Sequence, residues 1–236
     1  GRGSIMAVYT NDLRLKEIAT GDESGTWGTS VNTQYELIGE AMGAGTEAIA
    51  NASTHTITMA DGATDGFRCT FLRLTGGGQA CTVTLAPNTV SHTWIIRNAT
   101  SYALTFTQGS GANVIIAAGQ AKIVTTDGLG SGAVVYECLE DLELGGTLTV
   151  GIDDTGQDVK FFGATSGKYW LWDESADGVV QQGTLTVGVD DTGYDVKLFG
   201  ATSGAYLLWD ESADDLKLVG AAGFTVAGDI DVDGTS

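Results

Sequence analysis

A mainly β chain is predicted by a series of short alternating strand patterns punctuated by turn residues, and by a 37-residue stretch that occurs twice in tandem. One further stretch, with apolar residues at helical spacing, marks a single short helix near the N-terminus. Together these predict a β-sandwich or jelly-roll-like domain with one short N-terminal helix, followed by tandem 37-residue β repeats.

Taken in order, Gly1–Ile5 before Met6 reads as a cloning scar and is set aside (1–5). The segment 6–45 is polar and glycine-rich up to Gly28, with Leu13, Leu15 and Ile18 as its aliphatic anchors, and reads as extended or loop-like there. Thr33 followed by Glu36 matches a capping box. Tyr35, Leu37, Ile38, Ala41 and Met42 then supply an apolar side before Gly43 and Gly45 stop the run. A helix of about 10 residues does not stand alone in water, so that side must pack on a domain or on sister helices.

Residues 46–140 carry strand patterns at Thr54–Met59, Arg68–Leu74, Cys81–Leu85, Thr93–Asn98, Leu104–Gln108, Asn113–Ile116, Ala121–Thr125 and Ala133–Leu139. Gly76-Gly77-Gly78, Pro87-Asn88, Gly109–Gly111 and Asp127-Gly128 fall between them, where turns need such residues. Alternation in Cys81–Leu85 gives each strand one buried and one wet face.

The remainder, 141–236, holds the repeats 146–182 and 183–219 and a partial third, 220–236, which reads as a truncated chain or a frayed tip. The two full repeats share 27 of 37 positions, and four of the differences exchange one apolar residue for another: Ile152/Val189, Phe161/Leu198, Trp170/Leu207 and Val179/Leu216. Each repeat reads as three short strands at Thr147–Val150, Asp158–Phe162 and Tyr169–Trp172 and their copies. Two units are fewer than a free-standing repeat array needs, so the missing burial is expected from further copies of the same chain.

Charge narrows the partners. The chain carries −19, and residues 141–236 hold 18 acidic against 4 basic residues, so −14 of it lies in the repeats. Nucleic-acid binding is disfavoured, because phosphate neutralisation requires Lys and Arg. No apolar run long enough for a membrane helix and no secretory signal are present, so no membrane insertion is expected. Cys69, Cys81 and Cys138 are odd in number and lack metal-ligand spacing, which reads as three buried free thiols.

Gly25-Thr-Trp27-Gly28, the helix, Pro87-Asn88, Trp94–Thr100 and Val124–Gly128 resemble the N-terminal regions of tailed-bacteriophage fibre and tail-appendage proteins. The tandem Phe-Gly-Ala-Thr-Ser-Gly and Leu-Trp-Asp-Glu-Ser-Ala-Asp segments look like repeats of phage structural proteins. The resemblance implies a virion structural protein made in the bacterial cytoplasm. It implies an obligate homotrimer, with 6–45 as the mounting segment on virion tail or capsid proteins and the acidic repeats as a trimeric shaft. A tail fibre or fibre-adaptor linking the particle to a host-receptor-binding part is the leading expectation. A carbohydrate-binding adhesin for host surface glycan and a capsid decoration (head) fibre are the alternatives.

No enzymatic constellation is expected. Paired carboxylates stand at Asp153-Asp154, Asp173-Glu174, Asp190-Asp191 and Asp210-Glu211, but an active site repeated at one period on units this small is a poor reading. Solvated turns are the plainer one. The alternative is a cation site, Asp153, Asp154 and Asp158 with copies Asp190, Asp191 and Asp195, whose hard oxygens would suit Ca²⁺. No other cofactor is indicated. His55 and His92 lack a local nucleophile partner, and Gly76-Gly77-Gly78 lacks the Gly-Lys-Ser/Thr of a phosphate loop. Tyr169, Trp170, Trp172, Tyr206 and Trp209 could stack on sugar rings. The Leu207 that replaces Trp170 in the second repeat favours a packing role.

Overall fold

The structure, a computed structural model, describes residues 7–230. The scar at 1–5 and the last part of the partial third repeat, 231–236, lie outside the described residues. The chain divides into two units, Gly1–Glu143 and Leu144–Ser236. Residues 7–45 fall in the first of these units. Both units are mainly β, with one α-helix near the N-terminus among the described residues.

That helix, α1 (Trp27–Ala41), starts well before the expected cap. Thr33 lies inside it and donates its hydroxyl to the Thr29 carbonyl at 3.1 Å, while Thr26 takes the N-cap position without a side-chain bond. Gly28, Thr29, Ser30 and Asn32 are weak helix formers, so tertiary contacts must carry the first turns. Leu37 and Ala41 are buried, Gln34 accepts from the Lys16 N–H at 2.8 Å, and Glu40 accepts from the Asp65 and Gly66 N–H groups.

Unit 1 continues with β1 (Ala44–Ile49), β2 (Thr54–Thr58), β3 (Phe71–Gly76), β4 (Cys81–Ala86) and β5 (Thr93–Asn98). After these come β6 (Leu104–Thr107), β7 (Val114–Ile116), β8 (Ala121–Thr126) and β9 (Val135–Glu137). β1 was not legible in the sequence, where Gly45 reads as a helix stop. Its glycine is required by packing, because a Cβ there would overlap the Gly66 carbonyl oxygen. Two sheets form, ordered β1-β3-β5-β8-β9 and β2-β4-β6-β7. From β1 to β6 the chain alternates between them, so β1/β3, β3/β5, β2/β4 and β4/β6 pair in parallel. Antiparallel pairing is confined to β5/β8, β8/β9 and β6/β7. Gly76 and Gly77, both at positive φ, turn the chain from one sheet to the other where a hairpin would have kept it in one.

One core joins the two sheets. Leu72, Leu74, Trp94 and Ile96 from the first meet Val83, Leu85, Leu104 and Phe106 from the second, each almost fully buried. Strand burial alternates as the sequence predicts, most regularly in β4 and β5. Among the described residues every buried side-chain polar atom except Glu23 Oε2 has a partner. Asn98 donates to the Tyr102 and Ile116 carbonyls and accepts from the Thr100 N–H and hydroxyl. Arg68, fully buried, donates to the carbonyls of Leu13 (2.8 Å), Ala63 (3.1 Å) and Ala60 (2.7 Å) and lies 3.6 Å from Glu40 and 3.5 Å from Asp65. That one guanidinium fastens the N-terminal arm, α1 and the loop before β3 together.

Unit 2 contains two three-stranded antiparallel meanders: β10 (Val159–Phe162), β11 (Tyr169–Asp173) and β12 (Gly178–Gln182), then β13 (Val196–Phe199), β14 (Tyr206–Asp210) and β15 (Asp215–Val219). The expected strands at Thr147–Val150 and its copy do not form, and the third strand of each sheet is instead Gly178–Gln182 and Asp215–Val219. Ile152 bridges Thr155, and Val189 bridges Thr192, in matching tight turns outside the sheets. The copies agree down to backbone conformation. Asp154 and Asp191 have φ of 64° and 63°, and Gly167 and Gly204 both have 77°.

Candidate interaction surface

The registers of the two meanders sort their side chains onto opposite faces. In the first repeat Val159, Phe161, Trp170, Trp172, Val179 and Gln181 share one face, because Val159 pairs with Trp172 and Trp172 with Val179, while Phe161 pairs with Trp170 and Trp170 with Gln181. In the second, Val196, Leu198, Leu207, Trp209, Leu216 and Leu218 occupy the same places. Neither set contains a charge. The one amide, Gln181, becomes Leu218 in the copy.

The opposite faces mix charge with apolar side chains: Leu171 and Leu208, buried, and Phe162 and Phe199, exposed, lie on them beside the lysines. Lys160 lies over the Tyr169 ring at 4.1 Å and Lys197 over Tyr206 at 4.6 Å, cation–π contacts that tolerate solvent. Asp173 and Asp210 are on this side, with Lys217 bonded to Asp210. Ser175 hydrogen bonds hold the Asp173 carboxyl below its ordinary range, and the Lys217 bond does the same for Asp210.

Burial separates the two units. Among the described residues unit 2 buries only Leu171, Ala205 and Leu208 of its apolar side chains, while 21 large apolar side chains from Leu144 to Ile230 stand exposed, the reverse of unit 1. On the uncharged face Phe161 is 61 % exposed, Leu198 61 % and Leu216 65 %. Unit 1 has a smaller feature of the same kind. Trp27, Tyr35, Ile38 and the C-cap Met42 are exposed beside the buried Leu37 and Ala41, so only part of the apolar side of the helix is covered.

The candidate carboxylates do not gather. Among the described residues no group of three or more His, Cys, Asp or Glu side chains is placed to hold a metal ion. Asp153 and Asp154 and their copies Asp190 and Asp191 stand exposed in turns, and Asp158 and Asp195 stand exposed just before β10 and β13. Asp154 and Asp191 serve the left-handed backbone of those turns, a conformation Asp tolerates better than most residues. Asp158 and Asp195 each accept from a backbone N–H, of Glu174 at 3.0 Å and of Glu211 at 3.1 Å, which ties the turn to its sheet.

The other sequence candidates resolve as structure. Gly76-Gly77-Gly78 is a turn, with the Gly77 N–H donated to the Ile49 carbonyl. His55 contacts Glu47 at 2.8 Å, and His92 packs edge-on against Trp94. Of the three thiols Cys69 and Cys81 are buried, but Cys138, just beyond β9, is exposed, which corrects the expectation of three buried ones. No helix among the described residues is long and apolar enough to cross a membrane.

Comparison with protein-family models, with curated proteins and with solved structures finds no match.

Proposed function

We propose that this chain is a structural component of a phage virion, a homotrimeric tail fibre or fibre-adaptor. Residues 6–45 mount it on the particle, and its acidic repeats form the shaft towards a host-receptor-binding part. In this reading it is not an enzyme. The observation that carries the proposal is the inverted burial of unit 2: two near-identical sheets whose strands bury only Leu171 and Leu208 and expose ten large apolar side chains. A three-stranded sheet needs an apolar face covered to be stable, and a chain that repeats such sheets without covering them is suited to assembly. The uncovered part of the apolar side of α1, within 6–45, offers a surface for the mount.

Light scattering on the isolated protein should report three chains, and immunogold labelling of intact virions should decorate the tail. A monodisperse monomer at micromolar concentration would remove the trimer. One observation favours a second reading. Trp170 and Trp172 are part-exposed on one face of β11, next to Phe161, as a sugar-stacking platform would be. A saturable glycan-array signal lost on Trp172→Ala would support a carbohydrate-binding adhesin.

A further inference from the structure

We propose that the uncharged face of each repeat sheet is the contact between copies of this chain, repeat seated on repeat, while the lysine-bearing face stays in solvent. The inference rests on the homotrimer reading and names the surface that builds it.

Three observations converge on a second copy as the occupant. The first is chemistry. Eleven of the twelve positions on the two faces are apolar and the twelfth is Gln181, whereas the opposite faces carry Lys160, Asp173, Lys197, Asp210 and Lys217. At −14 for residues 141–236, like-charged chains can approach closely only where neither presents a charge, and the uncharged faces meet that condition.

The second is area. With side-chain areas of roughly 150–250 Å² for large residues, the exposed fractions come to about 400 Å² per repeat and about 800 Å² per chain. One partner of a stable protein interface contributes about 800 Å², which the two faces of one chain supply together.

The third is the period. The same face recurs after 37 residues, its apolar character kept at Phe161/Leu198, Trp170/Leu207 and Val179/Leu216, while Gln181 becomes the apolar Leu218. A sugar-binding platform would need the aromatic ring at Trp170 retained, whereas a packing face needs only an apolar side chain of suitable size. An occupant that covers both faces must itself present apolar surface at that spacing, and this chain does.

The test uses the full chain. Leu198→Lys with Leu216→Lys charges the uncharged face, and Phe199→Lys charges the opposite face at a residue 76 % exposed. All three side chains are largely exposed in the single chain, Phe199 touching only the edge of Tyr206 and Lys197, and far-ultraviolet circular dichroism checks that the variants keep their fold. Sedimentation equilibrium should show association of the double variant weakened at least tenfold, with Phe199→Lys retaining the wild-type mass. In a Cys138→Ser background, Leu216→Cys should cross-link copies through a short bismaleimide and Phe199→Cys should not.

A wild-type chain that is monomeric throughout overturns the homotrimer reading and this inference with it. A wild-type trimer that survives Leu198→Lys with Leu216→Lys, or one that cross-links through Phe199→Cys instead, overturns the inference alone. A monomer that binds glycan through Trp172 gives the face to sugar and also overturns it.

Discussion

Arg68→Met should be among the most damaging single substitutions in unit 1, and the reason can be worked from its surroundings. The guanidinium is fully buried and donates to three carbonyls, those of Leu13, Ala60 and Ala63, with Glu40 and Asp65 within 4 Å. Methionine fills much of the volume but leaves every one of those partners in place without its donor. Each unpaired buried carbonyl costs about 1–3 kcal/mol, and removing one member of a buried ion pair costs about 3–5 kcal/mol. These are the same loss counted two ways, so about 4 kcal/mol is the expected total. Asp65 keeps the N–H groups of Ala60, Phe67 and Arg68, and Glu40 keeps those of Asp65 and Gly66, which limits the damage to that range. At roughly 2–4 °C per kcal/mol for a unit of this size, the melting temperature should fall by about 10–15 °C, read from the near-ultraviolet signal of Trp94. Loss of the Leu13 tether should also open the arm to protease near Gly21–Gly28 below that temperature. Arg68→Lys, with one ammonium in place of a fork, should fall between. A shift under about 3 °C for Arg68→Met would refute the view that this side chain holds arm, helix and loop together.

Three further outcomes test other parts of the reading. Burial pushes the Cys69 thiol up to about 11 and raises Cys81, so native protein should react with a thiol reagent only at the exposed Cys138, and denatured protein at all three. Burial lowers the His92 imidazole below its ordinary value, partly offset by its contact with the Cys69 carbonyl. The unfolded chain therefore takes up the proton first. Stability should be intact above about pH 6.5 and decline below it by up to about 1.4 kcal/mol per pH unit, and equal urea midpoints for wild type and His92→Gln at every pH from 7.5 to 5.5 would contradict this. Melting temperature should rise gradually with NaCl as the −14 of residues 141–236 is screened. A Ca²⁺ effect beyond matched ionic strength that disappears in Asp154→Asn with Asp191→Asn would instead assign those turns a bound cation.

Periodicity determined much of this protein before any coordinates. Alternation in Cys81–Leu85 fixed which of its side chains enter the core, because successive residues of a strand point to opposite faces, whereas in the continuous Trp94-Ile95-Ile96 run only the structure separates the buried Trp94 and Ile96 from the exposed Ile95. The 37-residue repeat fixed that one sheet is built twice, since 27 shared positions carry the same turns and registers. Partner choice was beyond its reach. A period of two says which face is buried but not which strand lies alongside, so the parallel pairing of β1 through β6 and the whole of β1 came only from tertiary structure. The start of α1 was decided in the same way, by Leu37, Ala41 and Glu40 meeting groups distant in sequence and overriding a local capping signal at Thr33. So was the role of Arg68, whose partners at Leu13 and Glu40 are remote along the chain. The uncharged face is divided between the two sources: the sequence supplied its side chains, and the cross-strand registers placed them on one side and Lys160 and Lys197 on the other. Local rules act over a few residues, whereas these contacts are selected by burial energy across the whole fold.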